Sequence, residues 1–259
     1  LTEHVFQWSA DAKVMDFYER ALLNHIRSSQ HPQSGHVIYN LSLDMGGFKV
    51  YQDPEGFTCC VGTGMENHSK YSRNIYYHRQ NELYVVQFIS SELSWKDKGV
   101  KVIQQTDYPE EETIGFSFET EAPVRLGVNI RYPGWATRGI RIRVNGREMD
   151  IDQEPGSFVR IHRKWESGDR LEVAIPFSLR LETMPDNRDR VAIFNGPVLL
   201  AGDLGPVPDP RATDPLFVPV LMTQDPEPAN WLIPAGGEFN TFITSEVAYP
   251  RKAELMPFY

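Results

Sequence analysis

The chain has 259 residues, of which 41% are hydrophobic and 24% charged, so it can form one large domain or two smaller ones. Lysine and arginine number 26 against 35 aspartates and glutamates, which gives a net charge of −9. Nucleic-acid binding is therefore not expected, because contacts to phosphates need clustered cations. No apolar run approaches the length of a membrane span, and no basic amphipathic helix is present, so we expect no membrane partner either.

The first part of the chain has the periodicity of helices. Apolar residues recur at three- and four-residue spacing from Val14 to Ile26, which predicts a helix over 11–29. His31 precedes a proline, and such residues disfavour helical geometry, so the helix is expected to end there. The chain starts at Leu1 inside an apparent helix and has no initiator methionine, which predicts that it is a fragment of a longer protein.

Short strands dominate from about residue 82 onward. The apolar side chains between Val124 and Ile130 alternate with Arg125, Gly127, Asn129 and Arg131, the period of a strand with one buried and one solvent-facing side. Many similar runs, separated by turns rich in glycine and proline, predict a mainly β protein with an antiparallel β-sandwich over 81–205. Residues 206–259 are expected to form a proline-rich tail with irregular structure and short strands.

The only cysteines, Cys59 and Cys60, are adjacent and lie directly before a second predicted helix over 63–71. Thr63 and Glu66 have the spacing of a capping box at the start of that helix. The positive end of a helix dipole stabilises a thiolate, which can act as a nucleophile or as a metal ligand. Two other interpretations remain open, namely that the thiols are simply buried or that they form a strained vicinal disulfide.

A structural zinc site needs about four ligands, of which two cysteines can supply half. The histidines are scattered without metal-ligand spacing, and no Glu-x-Cys or Cys-x-x-Cys sequence occurs in the chain. Any zinc site built on the cysteine pair is therefore incomplete within these residues.

The segment containing the cysteines, residues 57–71, reads FTCCVGTGMENHSKY. It resembles the signature of the bacterial β-L-arabinofuranosidases of glycoside hydrolase families 127 and 146. Three further segments resemble these families: YERALLNHI at 18–26, YPGWA at 132–136 and GPVLLAG at 196–202. The resemblance runs almost from end to end of the chain, and the double-cysteine motif is its most specific part.

The resemblance implies an (α/α)6 catalytic barrel, with residues 1–80 as its last helices and loops, followed by β-sandwich domains. It implies a bacterial enzyme that hydrolyses arabinofuranose-containing glycans with retention of configuration. Cys59 corresponds to the family's nucleophile, and Cys59 and Cys60 correspond to two ligands of its zinc. Tyr39 resembles a substrate-contacting tyrosine. The remaining zinc ligands, the acid/base glutamate and most of the barrel would lie upstream of Leu1, so the chain alone is expected to be inactive.

Two other classes of function compete with a glycosidase. The chain could be a non-catalytic accessory or carbohydrate-binding module, in which Trp95 and Trp135 stack on sugars, although packing in the core is the simpler role for both. It could also be a purely structural domain with two buried thiols.

Overall fold

The structure, a computed structural model, describes residues 1–42, 44, 46–56, 58–206, 214 and 216–259. Phe57, the first residue of the cysteine motif, and residues 207–213 of the expected tail lie outside the described residues.

Helices are confined mostly to the first seventy residues. The α-helices are α1 (Thr2–Ser9), α2 (Ala12–Ala21) and α3 (Cys59–His68). Asp11 caps α2 by accepting a hydrogen bond from the Lys13 N–H at 3.0 Å. The helical path continues beyond α2 as a π-helical turn (Leu22–Ile26) and a 3-10 turn (Arg27–Ser29), so the helix predicted over 11–29 is present. Further 3-10 turns are Pro54–Gly56, Lys96–Lys98 and Pro228–Asn230.

Strands make up most of the rest of the described chain, which confirms a mainly β protein with few helices. In chain order they are β1 (Ile38–Leu41), β2 (Lys49–Tyr51), β3 (Tyr76–Arg79), β4 (Glu82–Val85), β5 (Ser91–Trp95), β6 (Val100–Gln105), β7 (Thr113–Thr120), β8 (Val124–Tyr132), β9 (Arg141–Val144) and β10 (Arg147–Glu148). They continue with β11 (Ser157–Trp165), β12 (Arg170–Ala174), β13 (Leu179–Thr183), β14 (Val191–Asn195), β15 (Val198–Asp203), β16 (Val220–Leu221), β17 (Leu232–Pro234), β18 (Phe242–Thr244), β19 (Ala248–Tyr249) and β20 (Glu254–Pro257).

The chain divides into two compact units, each formed from two separate segments. Unit 1 comprises Leu1–Arg20 and Ser69–Ser178, and unit 2 comprises Ala21–His68 and Leu179–Tyr259. The strands expected to form one sandwich are therefore divided, because β13, β14 and β15 belong to a sheet of unit 2. The partition into three consecutive domains remains a prediction.

Unit 1 contains two sheets that share one hydrophobic core, the arrangement of a β-sandwich. A six-stranded antiparallel sheet has the order β10-β9-β12-β7-β6-β5, and a four-stranded sheet has the order β11-β8-β4-β3. The core between them includes Phe118 and Trp165, whose rings stack with centroids 4.0 Å apart. One pairing differs from the expected antiparallel pattern, since β4 and β8 run parallel, with Leu83 opposite Val128.

The alternation of apolar and polar residues predicted that one side of β8 faces solvent. That prediction is wrong for two of its polar residues. Arg131 is 0% exposed and Asn129 is 1% exposed, although both were expected to face solvent. Asn129 donates to Oε2 of Glu82 at 2.8 Å and to the carbonyl of Leu83 at 3.1 Å. Charged partners for Arg131 come from α2, since Arg131 forms ion pairs with Glu19 and, at 2.6 Å, with Asp16. A buried guanidinium is tolerated because its donors are paired with carboxylates.

Unit 2 contains a six-stranded antiparallel sheet with the order β13-β14-β15-β20-β18-β17. Asn24, which is buried in the π-helical turn, connects this sheet to the helical segment of the same unit. Its side chain donates to the carbonyl of Pro197 at 2.8 Å and accepts from the N–H of Leu199 at 2.7 Å. Two small pairs, β1–β2 and β16–β19, complete the unit.

No helix in the described part of the chain is long and apolar enough to cross a membrane.

Candidate functional site

The two cysteines lie in the first turn of α3, which begins at Cys59. Cys59 is exposed and Cys60 is partly exposed; both thiols are free, with their Sγ atoms 3.9 Å apart. The helix therefore starts four residues earlier than the sequence predicted, and the cysteines are part of it. The interpretation of the pair as fully buried core thiols does not fit Cys59.

Thr63 is an interior residue of α3, and the expected capping box is wrong. The Thr63 hydroxyl donates to the Cys59 carbonyl at 3.1 Å, a bond to the preceding turn that leaves the backbone helical. Glu66 is exposed two turns into the helix, so it does not cap the helix start. Gly62 and Gly64 both lie within α3.

A hydrogen bond between two side chains connects the start of α3 to Gln52, the residue directly after β2. The Thr58 hydroxyl, one residue before the helix, donates to Oε1 of Gln52 at 2.6 Å. Gln52 in turn donates its backbone N–H to the carbonyl of Val37 at 2.8 Å. These contacts restrain the backbone directly before Cys59. Gln52 could not be predicted from the sequence, because no local pattern shows which side chain accepts the hydrogen bond from the Thr58 hydroxyl.

A second contact holds α3 in its middle. Gly64 is buried, and a methyl group at this position would lie 2.6 Å from Cγ1 of Val37. Thr58 thus contacts Gln52 and Gly64 contacts Val37, two points about a turn and a half apart along the chain of α3. Two contacts of this kind fix both the position and the direction of the first turn that carries the cysteines.

The pKa of one thiol is shifted in the opposite direction from the one that the sequence predicts. Desolvation, followed by the neighbouring thiol of Cys59, raises the pKa of Cys60, whereas a helix start alone would lower it. At the other end of α3, burial lowers the pKa of His68. The structure by itself thus favours the protonated form of Cys60.

The spacing of the two sulfur atoms suits a shared metal ion. Two thiolates at about 2.3 Å from one tetrahedral ion lie roughly 3.8 Å apart, and the observed separation is 3.9 Å. Among the described residues, no group of three or more His, Cys, Asp and Glu side chains could hold a metal ion. The separation of the two Sγ atoms is thus compatible with both of them binding one zinc ion.

Tyr39, the expected substrate contact, lies on β1 in the same compact unit as the cysteines. Its side chain is 50% exposed, and β1 contacts α3. On the neighbouring β2, burial lowers the pKa of Lys49 and raises the pKa of Tyr51. An accessible phenol on an element that packs against the cysteine helix is compatible with a role in binding substrate.

The two tryptophans of the accessory-module hypothesis are engaged within unit 1. Trp95 is 8% exposed and belongs to the hydrophobic core. Trp135 is partly buried, donates its indole N–H to Glu19 at 3.0 Å and packs edge-on against Phe177. Both rings are thus engaged in contacts within unit 1, which weakens the support that they give to a carbohydrate-binding module.

Comparison with protein-family models places the chain among the glycoside hydrolases. Residues 1–73 match the model described as the GH127 catalytic domain of β-L-arabinofuranosidase, and residues 82–177 match the GH127 middle domain. Together these ranges cover more than half of the chain, which belongs to glycoside hydrolase family 127. The resemblance of residues 57–71 to that family is thus confirmed. No curated protein matches the chain.

Solved structures show the same fold. A GH127 β-L-arabinofuranosidase from Geobacillus stearothermophilus T6 is 19% identical with a TM-score of 0.67, and the GH127 β-arabinofuranosidase BT3674 is 19% identical with a TM-score of 0.69. A third structure, described as a glycoside hydrolase, is 17% identical with a TM-score of 0.71. All of this chain is covered in each case, but only 45%, 45% and 48% of the respective relatives. The chain thus spans about half the length of the structures that it matches.

Proposed function

We propose that the chain is the part of a retaining β-L-arabinofuranosidase that carries the nucleophile, Cys59. The observation that carries the proposal is the geometry of α3, whose first turn holds two free thiols 3.9 Å apart, with Cys59 exposed. Membership of family 127 supports the reaction class. The contacts from Thr58 to Gln52 and from Gly64 to Val37 support a fixed position for the nucleophile.

Cys59 would act as the nucleophile in a double-displacement reaction. Its thiolate attacks the anomeric carbon and forms a C–S bond while the glycosidic C–O bond breaks, and a carboxylic acid protonates the departing oxygen. Water, deprotonated by the same carboxylate, then attacks the anomeric carbon and displaces Cys59. Two inversions give net retention. The carboxylic acid is proposed to come from a part of the protein beyond these residues.

Cys59 and Cys60 would be the two ligands that this chain contributes to a zinc ion, with a glutamate and a third cysteine from elsewhere in the protein. Bound zinc keeps a coordinated thiol deprotonated at neutral pH. This requirement is consistent with the raised pKa of Cys60, which without such help holds its proton. Cys60 then orients Cys59 through their common attachment to the first turn of α3.

We further propose that residues 1–80 are the last helices and loops of an (α/α)6 barrel, completed by the rest of the same protein. Exposed aromatic side chains on the two N-terminal helices support this, since Trp8 on α1 is 81% exposed and Phe17 on α2 is 63% exposed. Large apolar side chains in such positions suit a covering partner. Tyr39 would contact the arabinofuranose-containing substrate.

The proposal is tested in the full-length protein with Cys59→Ser and the matched variant Cys60→Ser. Cys59→Ser should abolish turnover, because a serine hydroxyl is not held as an anion at neutral pH. Cys60→Ser should lower zinc content and activity together, since it removes a ligand but leaves the nucleophile.

A slowly hydrolysed arabinofuranoside can trap the covalent intermediate. This gives a second measurement, whose result would not be reproduced by loss of zinc alone. Mass spectrometry of the trapped protein should locate the sugar on Cys59 in the wild type and in Cys60→Ser, and find none in Cys59→Ser. An adduct on any other residue, or near-parental turnover by Cys59→Ser, would contradict the assignment of the nucleophile.

A further inference from the structure

A groove runs along one side of the sandwich in unit 1, where the outermost strands of its two sheets face each other. β10 is the outermost strand of the six-stranded sheet, and β11 is the outermost strand of the four-stranded sheet. The β9–β10 hairpin and the middle of β11 line an open groove of about 720 Å³. A groove of this size is large enough for several sugar rings or for a drug-sized molecule.

The walls of the groove carry an excess of positive charge in a chain whose net charge is −9. Arg147 on β10 and Arg160 on β11 are exposed, and within the described residues neither forms an ion pair. Arg163 also lines the groove, and its ion pair with Asp169 at 3.3 Å holds its position. Glu148 is the only carboxylate among the described lining residues.

Apolar side chains also line the groove. They are Ile161, which is buried, and the partly buried side chains of Val144 and Met149. Apolar side chains and guanidinium groups along one groove suit a ligand that has both a hydrocarbon face and negative charges. A sugar ring bearing a carboxylate has this combination, because its C–H face packs on apolar side chains and its carboxylate accepts two parallel hydrogen bonds from arginine.

We propose that this groove binds a carboxylate-bearing oligosaccharide, that is, a chain containing uronic acid units. The choice of a glycan rests on the proposed function as a glycosidase, whereas the preference for a negative ligand rests on the groove alone. A nucleic acid is the less suitable occupant, because no Phe, Tyr or Trp among the described residues lines the groove to stack on bases. The proposed binding site for acidic polysaccharide belongs to unit 1, whereas the cysteine pair belongs to unit 2.

The test is titration calorimetry of the 259-residue chain with tetragalacturonate, at low and at moderate NaCl concentration. Neutral galactotetraose and a single-stranded oligonucleotide serve as comparison ligands. The double variant Arg147→Ala/Arg160→Ala is compared with Arg188→Ala/Arg190→Ala, which removes the same charge from an exposed loop of unit 2. Circular dichroism establishes that both variants are folded.

Tetragalacturonate should bind, and more weakly as salt screens the guanidinium groups. The groove variant should bind at least about tenfold more weakly, and the loop variant should match the wild type. Undetectable binding, equal binding by the groove variant, or equal binding of the neutral tetrasaccharide would overturn the proposal. Preferred binding of the oligonucleotide would also overturn it. Because no hydrolysis is involved, these outcomes are independent of whether Cys59 is the nucleophile.

Discussion

Gly64 of α3 lies so close to Val37 that the hydrogen atom of the glycine is the largest group the contact admits. A methyl group there would be 2.6 Å from Cγ1 and 3.3 Å from Cβ of Val37, both inside van der Waals contact. Gly62, one half-turn earlier on the same helix, has open space in the corresponding direction. The two glycines of the motif thus have different physical roles, although they are two residues apart.

Substituting each glycine by alanine should change stability in opposite directions. Gly64→Ala forces α3 away from Val37 and should lower the free energy of unfolding by about 1–3 kcal/mol, the usual cost of overpacking. Gly62→Ala should raise it by roughly 0.5–1 kcal/mol, because alanine is the better helix former. Urea unfolding of both variants measures the difference. Equal effects would show that the contact with Val37 is not tight in solution.

The ion pair between Glu19 and Arg131 should be among the most sensitive points of unit 1. Glu19→Gln leaves a buried guanidinium with less compensating charge, and breaking a buried pair costs about 3–5 kcal/mol. The surface pair between Glu92 and Lys101, at 2.9 Å, provides the control, since Glu92→Gln should cost less than about 1 kcal/mol. Chemical denaturation distinguishes the two, and similar losses would mean that Glu19 is not buried as the structure shows.

Asp169 should make stability depend on pH in the acid range. Burial acts to raise the pKa of this carboxyl, but hydrogen bonds from the Asn145 side chain and the Glu166 N–H, with Arg163 nearby, lower it overall. A carboxyl with a lower pKa in the folded state than in the unfolded state stabilises the fold above about pH 4. That contribution is lost as the pH falls from there through the folded-state pKa.

Asp169→Asn should therefore lower stability at neutral pH and flatten its decline on acidification. Asp186→Asn, at an exposed position in unit 2, makes the same change in net charge away from this cluster. Thermal unfolding between about pH 2 and pH 7 compares the three proteins. An Asp169→Asn profile parallel to that of the wild type would exclude Asp169 as a source of acid sensitivity.

Zinc binding by the 259-residue chain should be weak. The chain offers the ion two thiolates where about four ligands are needed, and deprotonating each thiol has the same cost as in a complete site. Elemental analysis after gel filtration should find far less than stoichiometric zinc, and chromogenic β-L-arabinofuranosides should not be hydrolysed. The double variant Cys59→Ser/Cys60→Ser gives the background. Stoichiometric zinc in the unsubstituted chain would show that further ligands lie within it.

Local periodicity was enough to predict the helix over 11–29 and the mainly β character of the chain. Both predictions depend only on the spacing of residues along the sequence, because that spacing determines which side chains lie on the same face of a helix or strand. The start of α3 was predicted wrongly because Thr63 and Glu66 have the spacing of a capping box, although Thr63 lies inside the helix. Gly64 is explained only by Val37, a residue distant in sequence, so a local pattern could not reveal it.

The same limit applies to the polar side chains that the fold buries. Arg131 looked like a solvent-facing residue of β8, since its partners Asp16 and Glu19 lie more than a hundred residues earlier. The cysteine motif was different. Its adjacent thiols and glycines form a specific signature, so the family could be named from sequence, whereas Gln52, which holds the motif in place, could not.

The zero exposure of Arg131 also has a consequence for how this family can diverge. Loss of either Glu19 or Arg131 alone leaves a charge inside unit 1 without its main partner, and apolar side chains at both positions would still leave Asp16 and the indole N–H of Trp135 without theirs. Substitutions at these positions are therefore coupled in evolution, and a lineage can change them only together or through a less stable intermediate. An alignment of homologues should show positions 19 and 131 changing in concert.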